Sequence, residues 1–374
     1  MKNFIILASI PLFSFTLQAN TAYISPDGSG NGYTSNSPAS ISNLNNLLSD
    51  TSLDKINLLP GNYPQTDALV LNQGDHPIEV VGLNNVTFSS NYNFYSGSNS
   101  GFVIARSNIS FKNLSFLNTR YCFRFKNNNV ENVSIESVNA YNNSSCIEFD
   151  SNIDKYVSNI SINNLKSMGY YKAGIRIDGS DTHNISISNT ILDGLATSTE
   201  NERDCFISGI LINGYSKDIL IDNVSISNNI GGIEGCRSYQ QGDGIVSNTN
   251  TSNIVINNTV ISNSRDADLD LKGKNITLNK IKSLSGKEAR YNLKLWDNEF
   301  TCTECYINTA NVSALIAFDS HIMLVNSTVK VDETARLCDI RNLHTNTTAI
   351  DFVNTNFPYY GDLVYQPSNL AQCE

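Results

Sequence analysis

The sequence predicts an all-β protein, a right-handed parallel β-helix closed at its amino-terminal end by a short capping helix. Seven segments share one pattern: Asn or Asp, an apolar residue, any residue, and a second apolar residue. They begin at Asn108, Asn132, Asn159, Asn184, Asp218, Asn253 and Asn275. β-Branched residues at alternate positions, recurring every 22 to 35 residues, indicate strands stacked turn upon turn rather than helices.

A second Asn follows five residues after the leading residue in most of these segments. It occurs at Asn113, Asn164, Asn189, Asn223 and Asn258. Asn tolerates the left-handed backbone conformation and therefore suits a sharp bend between two strands. Stacked side chains at this position predict an asparagine ladder, which Ser137 and Lys280 interrupt.

Another strand precedes the repeated pattern in each turn. These strands start at Cys122, Cys146, Gly174, Gly209, Gly244, Asp268 and Asn292. Alternation predicts that their second and fourth residues face the core, and that their first, third and fifth residues face outward.

The segments quoted above, together with the amino-terminal run AYISPDGSGNGY, the segment KINLLPGNYP and the run GDHPIEVVGLNNVTF, resemble the pectate-lyase-like β-helix superfamily. The resemblance extends over most of residues 22 to 356. It implies a secreted protein that acts on polysaccharides, and a short helix over Ile41 to Leu48 that covers the open end of the core. An uncovered end would expose both the core and the strand edges.

The first nineteen residues are typical of a bacterial secretory signal peptide, with Lys2 followed by an apolar run from Phe4 to Leu17. Residues 20–374 are predicted to form a single domain, because a solenoid grows by adding turns. The sequence therefore predicts a secreted or periplasmic monomer without a membrane-spanning segment. A net charge of −10 argues against a nucleic-acid partner.

Eight cysteines in an exported chain favour disulfides. Cys122 and Cys146 occupy equivalent positions in neighbouring turns, and Cys205 and Cys236 both lie in long connections, so both pairs are predicted to be bonded. The remaining four cysteines belong to the carboxy-terminal part, where their pairing stays open. A metal site at Cys302 and Cys305 is disfavoured because no second pair with this spacing follows.

Charged residues on the outward positions form two different patterns. The series Arg124, Glu148 and Arg176 alternates in sign, which predicts a structural ladder of ion pairs. The segment from Arg265 to Asn275 instead predicts Asp266, Asp268 and Asp270 on one outer face. Like charges at this spacing repel one another unless a cation joins them, and oxygen-rich clusters suit Ca²⁺. A continuation of the structural ladder is the alternative interpretation.

Calcium-dependent lyases of the β-helix superfamily resemble this stretch, and the resemblance implies a site for β-elimination on an acidic polysaccharide. A uronate must have its carboxylate neutralised and its C5 proton removed by a base. The resemblance implies that Asp243, Asp266, Asp268 and Asp270 bind calcium, that Lys272 (or Lys274) is the base, and that Arg290 and Lys294 are further catalytic cations. Substrate contacts are predicted for Asn292, Trp296, Arg237 and Tyr239.

Two other functions remain open. A glycoside hydrolase is less favoured, because the Gly-Asp-Asp and Gly-His-Gly motifs of polygalacturonase-type enzymes are absent from the sequence. A non-catalytic β-helix for polysaccharide binding or surface adhesion is the main alternative, since the fold does not determine the function.

Overall fold

The computed structural model describes residues 20–358 except 94–98, 127, 151–154, 195–203, 232–235, 237–240, 285, 287–288, 310, 333–334 and 342–347. The predicted signal peptide lies outside the described residues. The described residues form a right-handed parallel β-helix, which confirms the predicted fold class.

Two parallel sheets make up the solenoid in the described part of the chain. The nineteen-stranded sheet contains β1 (Thr21–Ile24), β2 (Lys55–Leu58), β3 (Gly61–Pro64), β5 (Ile78–Gly82), β6 (Val86–Ser89), β8 (Ile109–Leu117), β10 (Val130–Tyr141), β12 (Tyr156–Met168), β14 (Asp181–Asp193), β16 (Lys217–Ser227), β18 (Ser252–Asn257), β19 (Val260–Ser262), β21 (Lys274–Asn279), β22 (Lys282–Leu284), β24 (Glu299–Thr303), β25 (Tyr306–Thr309), β27 (His321–Val325), β28 (Thr328–Val331) and β30 (Ala349–Val353). The eleven-stranded sheet contains β4 (Leu69–Leu71), β7 (Phe102–Ile104), β9 (Tyr121–Lys126), β11 (Ser145–Asp150), β13 (Ala173–Ile177), β15 (Phe206–Ile212), β17 (Gln241–Ser247), β20 (Ala267–Leu271), β23 (Tyr291–Trp296), β26 (Ser313–Phe318) and β29 (Arg336–Arg341).

Each turn of the solenoid has three faces. The eleven-stranded sheet is the first face, with one strand per turn. The larger sheet covers the other two, because its longest strands continue around the corner between them. One such strand, β16, pairs with both β18 and β19 of the next turn.

The corners rest on residues with left-handed backbone conformation, as predicted. The φ angle is 58° at Asn113 and 55° at Asn164, and the two predicted interruptions, Ser137 and Lys280, adopt the same conformation at 56° and 54°. The leading residues of the repeats are also left-handed and form the more continuous ladder. In this ladder, Asn132 Nδ2 donates a hydrogen bond to Asn108 Oδ1 of the preceding turn at 2.9 Å. Hydrogen bonds between these side chains hold successive turns in register.

The amino-terminal end is closed by a 3₁₀ turn at Ile41–Asn43 followed by helix α1 (Leu44–Ser49), which confirms the predicted cap. Leu44, Leu47 and Leu48 are buried on the end of the core. Full burial of such a side chain contributes about 1.5–3 kcal/mol.

Simple alternation predicted that one aligned position of the first-face strands faces outward, but this position faces the core. Its residues are Cys122, Cys146, Gly174, Gly209, Gly244, Asp268 and Asn292. A side chain at Gly244 would lie 2.4 Å from a methyl group of the buried Ile261. In strands β20 and β23, Ala267 pairs with Tyr291 and Leu269 pairs with Leu293, but Asp268 and Asn292 between them are not paired. The chain therefore bends here, and the bend places two consecutive residues on the inner side.

Both predicted disulfides are confirmed. Cys122 is bonded to Cys146 and Cys205 is bonded to Cys236. The first bridge lies in the core, because the bend turns both of its residues inward. A third disulfide joins Cys302 to Cys305 in the core, so this closely spaced pair does not bind a metal.

The predicted structural ladder of alternating charge is also confirmed. The carboxylate of Glu148 lies 3.6 Å from Arg124 and 3.2 Å from Arg176. Arg124 also pairs with Asp150, and Arg176 pairs with Asp178.

Candidate functional site

The candidate site lies on the first face, where β17, β20 and β23 are adjacent. The register aligns Val246 with Asp270 and Asp270 with Lys294. Leu269 and Leu271 are fully buried in the core, so Asp270 between them points to the opposite side of the sheet. Lys294 follows the same alternation one turn later, and the two side chains lie next to each other.

Three carboxylates form a cluster at this position: Asp243 in β17, Asp266 immediately before β20, and Asp270 in β20. Oxygen atoms of the three groups lie within 4.8 Å of one another. Each residue is at most 3% exposed. One Asp243 oxygen accepts a hydrogen bond from the backbone amide of Ala267 at 2.9 Å, which holds it in place. These three residues are called the carboxylate cluster below.

The ammonium group of Lys294 bridges two members of the carboxylate cluster. Its Nζ atom lies 2.8 Å from Asp266 Oδ2 and 3.2 Å from Asp270 Oδ2. Burial works to lower the pKa of Lys294, but the attraction of Asp270 and Asp266 outweighs it and raises the pKa above its usual range. Lys294 is therefore a firmly protonated cation.

The surroundings of Asp243 shift its pKa. Burial raises its pKa well above the usual range, and the negative charges of Asp270 and Asp266 raise it further. Lys294 and the amide of Ala267 oppose this shift without cancelling it. The protonated form of Asp243 is consequently stabilised relative to that of a solvent-exposed carboxyl group.

Two further cations lie at the edge of the carboxylate cluster and are accessible from solvent. Lys272 Nζ lies 2.8 Å from Asp270 Oδ1, and its side chain is 26% exposed. Arg290 lies 3.6 Å from Asp266 Oδ1, and its side chain is 43% exposed. These two predicted site residues thus border the buried cluster and can reach a bound molecule.

Trp296 is fixed beside these cations. Its indole N–H donates to Asp270 Oδ1 at 2.8 Å, and its ring stacks on Phe318 of the next turn with 3.7 Å between the ring centres. The ammonium groups of Lys272 and Lys294 lie 5.5 and 5.6 Å from the centre of the indole ring. The half-buried tryptophan links the charged cluster to an aromatic surface, which suits the apolar face of a sugar.

Asp268 is not on the outer face, and the prediction that placed it there is wrong. It occupies the inward-pointing aligned position, the second residue of β20, and is 0% exposed. Its Oδ2 atom accepts a hydrogen bond from Ser283 Oγ at 2.6 Å, and Ser283 aligns with the core residue Ile261. Burial raises the pKa of Asp268 to about 7, although the hydrogen bond from Ser283 works in the opposite direction.

The predicted outward placement of Asn292 is wrong for the same reason. Asn292 is 0% exposed as the second residue of β23. Its amide group donates to Ser283 Oγ at 2.7 Å and to the backbone carbonyl of Asn308 at 3.2 Å. Asn292 therefore belongs to a polar group inside the solenoid and is not available to a polymer on the face.

The last two predicted site residues, Arg237 and Tyr239, lie outside the described residues. Phe318 was missed by the sequence analysis, although it occupies the position of Trp296 one turn later. Alignment of the first-face strands by their repeats places Phe318 in register with Trp296, so the sequence contained a signal for this residue. Ser283 was missed because its partners depend on the inward bend.

The carboxylate cluster has the oxygen donors that a cation requires, but in this arrangement it fits an ammonium ion and not calcium. Calcium binds about six to eight oxygens at about 2.3–2.6 Å. The distances from Lys294 to Asp266 and Asp270 are those of charge-assisted hydrogen bonds. Calcium would compete with this ammonium group for the same oxygens.

No protein-family model and no curated protein matches this sequence. Solved structures with a similar fold include a pectate lyase, at a TM-score of 0.51 and 15% identity over 90% of this chain and 78% of that chain. The periplasmic alginate epimerase AlgG is similar at a TM-score of 0.56 and 8% identity, over 82% of this chain and 74% of that chain. The A-module of a mannuronan C-5 epimerase from Azotobacter vinelandii is similar at a TM-score of 0.51 and 14% identity, over 91% of this chain and 98% of that chain. At these identities the comparisons show that the chain shares the pectate-lyase-like β-helix fold.

Among the residues that the structure describes, no helix is long and apolar enough to cross a membrane.

Proposed function

We propose that this protein is exported and cleaves a uronate-containing polysaccharide by β-elimination on the first face of its solenoid. The observation that carries the proposal is the carboxylate cluster with Lys294 buried in it and Lys272, Arg290 and Trp296 at its accessible edge. The similar solved structures that act on pectate and alginate support an acidic polysaccharide as the substrate. The three disulfides among the described residues suit an exported protein.

An exposed cation supports an anionic ligand at this position. The guanidinium group of Arg290 lies at the accessible edge of the carboxylate cluster, and its side chain is 43% exposed. This cation lies on a protein whose net charge is −10. A polymer carboxylate is therefore attracted to this edge and repelled by most other acidic surfaces.

The residues suggest a division of roles in the reaction. Arg290 neutralises the substrate carboxylate, which makes the neighbouring C5 proton more acidic, and Lys294 compensates the buried carboxylates behind it. Lys272 in its neutral amine form removes this proton, a double bond forms between C4 and C5, and the C4–oxygen bond breaks. The departing oxygen takes a proton from solvent. Trp296 contacts a sugar ring and orients the chain.

A screen of the purified protein against pectate, alginate and glycosaminoglycans tests the proposal. Product formation is followed by the ultraviolet absorbance of the unsaturated sugar. Lys272→Ala is expected to abolish turnover and keep the fold, because this outward side chain does not pack in the core. The matched control is Lys282→Ala, which removes an exposed lysine from another face. Loss of activity in the control, or full activity of Lys272→Ala, would contradict the assigned role.

Non-catalytic polysaccharide binding on the same face is the second candidate. It is favoured by the pairing of both lysines with carboxylates, which continues the ion-pair ladder of the earlier turns. Trp296 is the only tryptophan of the chain, so its fluorescence reports binding at the site directly. A fluorescence change with a polymer that is never cleaved would favour this candidate over the lyase.

A further inference from the structure

We infer that Lys294 is a built-in cation that takes the place of a divalent metal in the carboxylate cluster. The native site then functions without calcium, and it becomes a calcium site only when this ammonium group is removed. The inference deepens the proposed function and rests on it for its meaning in catalysis. Its test measures metal binding and melting temperature, so its failure is distinct from a failure to find a cleaved polymer.

The first argument is geometric. The oxygens of the carboxylate cluster lie within 4.8 Å of one another, close enough for one cation to contact all of them. The Lys294 ammonium already contacts Asp266 and Asp270 at 2.8 and 3.2 Å. A calcium ion placed at the same oxygens would lie within a few ångströms of the ammonium group. Two cations this close in a buried position repel each other strongly.

The second argument concerns the neighbours of Lys294 on the first face. Lys294 lies in the turn after β20, at the position aligned with Asp270. Neighbouring residues at this position are apolar: Val246 lies one turn before Asp270, and Ile316 lies one turn after Lys294. The Asp270–Lys294 pair is thus enclosed between apolar neighbours, which limits the access of water and strengthens the ion pair.

The third argument is that the cluster depends on this cation. The side chain of Lys294 is only 9% exposed, and those of Asp266 and Asp270 are 2% and 3% exposed. Buried carboxylates at this distance are costly without a counter-charge. Removal of the ammonium group leaves a set of oxygen donors that suits calcium, and water can complete the coordination in the space of the missing side chain.

Calcium titrations of the wild type and of Lys294→Ala test the inference, with melting temperature and Trp296 fluorescence as readouts. The wild type is expected to show the same melting temperature in calcium and in a chelator. Lys294→Ala is expected to melt several degrees lower in the chelator and to recover with calcium, with a dissociation constant in the range of about 10⁻⁴ to 10⁻³ M. Lys272→Ala removes a lysine that contacts one carboxylate and keeps Lys294, so it is the matched control and should not respond to calcium.

Lys294→Gln is the second variant, in case Lys294→Ala does not fold in the chelator. Its side chain is one atom shorter than that of lysine, supplies an oxygen ligand and should also gain a response to calcium. A calcium response of the wild type that Asp266→Asn abolishes would overturn the inference. So would variants that calcium neither stabilises nor restores to the folded state, because the carboxylate cluster would then not hold a metal.

Discussion

Replacement of Asp268 by asparagine tests whether the carboxyl group inside the solenoid is protonated in the folded protein. Burial raises the pKa of Asp268 from 3.8 to about 7. Between these two values the folded state holds a proton that the unfolded state has lost. The stability contributed by this group is therefore fully present below the unfolded pKa, and it is lost as the pH rises through about 7.

The magnitude follows from the size of this shift. The shift corresponds to roughly 4 kcal/mol in total, of which roughly 2–3 kcal/mol is lost between about pH 5 and about pH 8. The Asp268→Asn variant carries an amide that does not ionise and still accepts the hydrogen bond from Ser283. It therefore avoids this loss. For a chain of this length, the melting temperature of the variant relative to the wild type should rise by about 3–4 °C over this pH interval.

Thermal unfolding followed by circular dichroism across this pH interval measures the effect. Asp297→Asn makes the same chemical change at an exposed corner and is the matched control. A constant difference between Asp268→Asn and the wild type at all pH values would refute a protonated Asp268. A difference that falls with rising pH would show that the carboxylate form is the stabilising one.

The remaining predictions concern the cap, the aromatic surface and a disulfide. Arg106→Ala removes a buried guanidinium that donates to four backbone carbonyls, including that of Leu48 in the cap helix, and should cost about 3 kcal/mol or more in chemical unfolding. An unchanged unfolding midpoint would show that the cap does not need it. Trp296→Ala should weaken polymer binding by about tenfold in calorimetry through loss of aromatic contact, and equal affinity would remove Trp296 from the site. Replacement of Cys205 and Cys236 together by alanine should cost roughly 4 kcal/mol, checked against the wild type with and without reductant; equal unfolding midpoints would contradict a stabilising bridge.

The repeated pattern determined the solenoid, because its period appears in the sequence without any knowledge of distant contacts. Apolar residues that alternate within each repeat predicted the core positions, and Ile160 and Ile162 are buried accordingly. The same alignment of turns predicted the bridge between Cys122 and Cys146 and the ion pairs of Glu148. These features depend only on register, and register follows from counting residues between repeats.

The tertiary structure decided which way the residues at the bend point. Alternation treats every residue of a strand alike, but the aligned position that Asp268 and Asn292 occupy turns inward in the first-face strands. The sequence contained a sign of this, since glycine recurs at this position in three turns, at Gly174, Gly209 and Gly244. Added side chains there would meet buried aliphatic residues.

The composition of the candidate site followed from this bend. Asp268, which alternation grouped with Asp266 and Asp270, turns into the core, so the cluster contains the other three predicted carboxylates, with Asp243 from the preceding turn. The bridging position of Lys294 was likewise beyond the reach of the sequence. Whether a metal or an ammonium group neutralises buried carboxylates is decided by distances of a few ångströms between side chains from three turns, and residue spacing along the chain does not determine such distances.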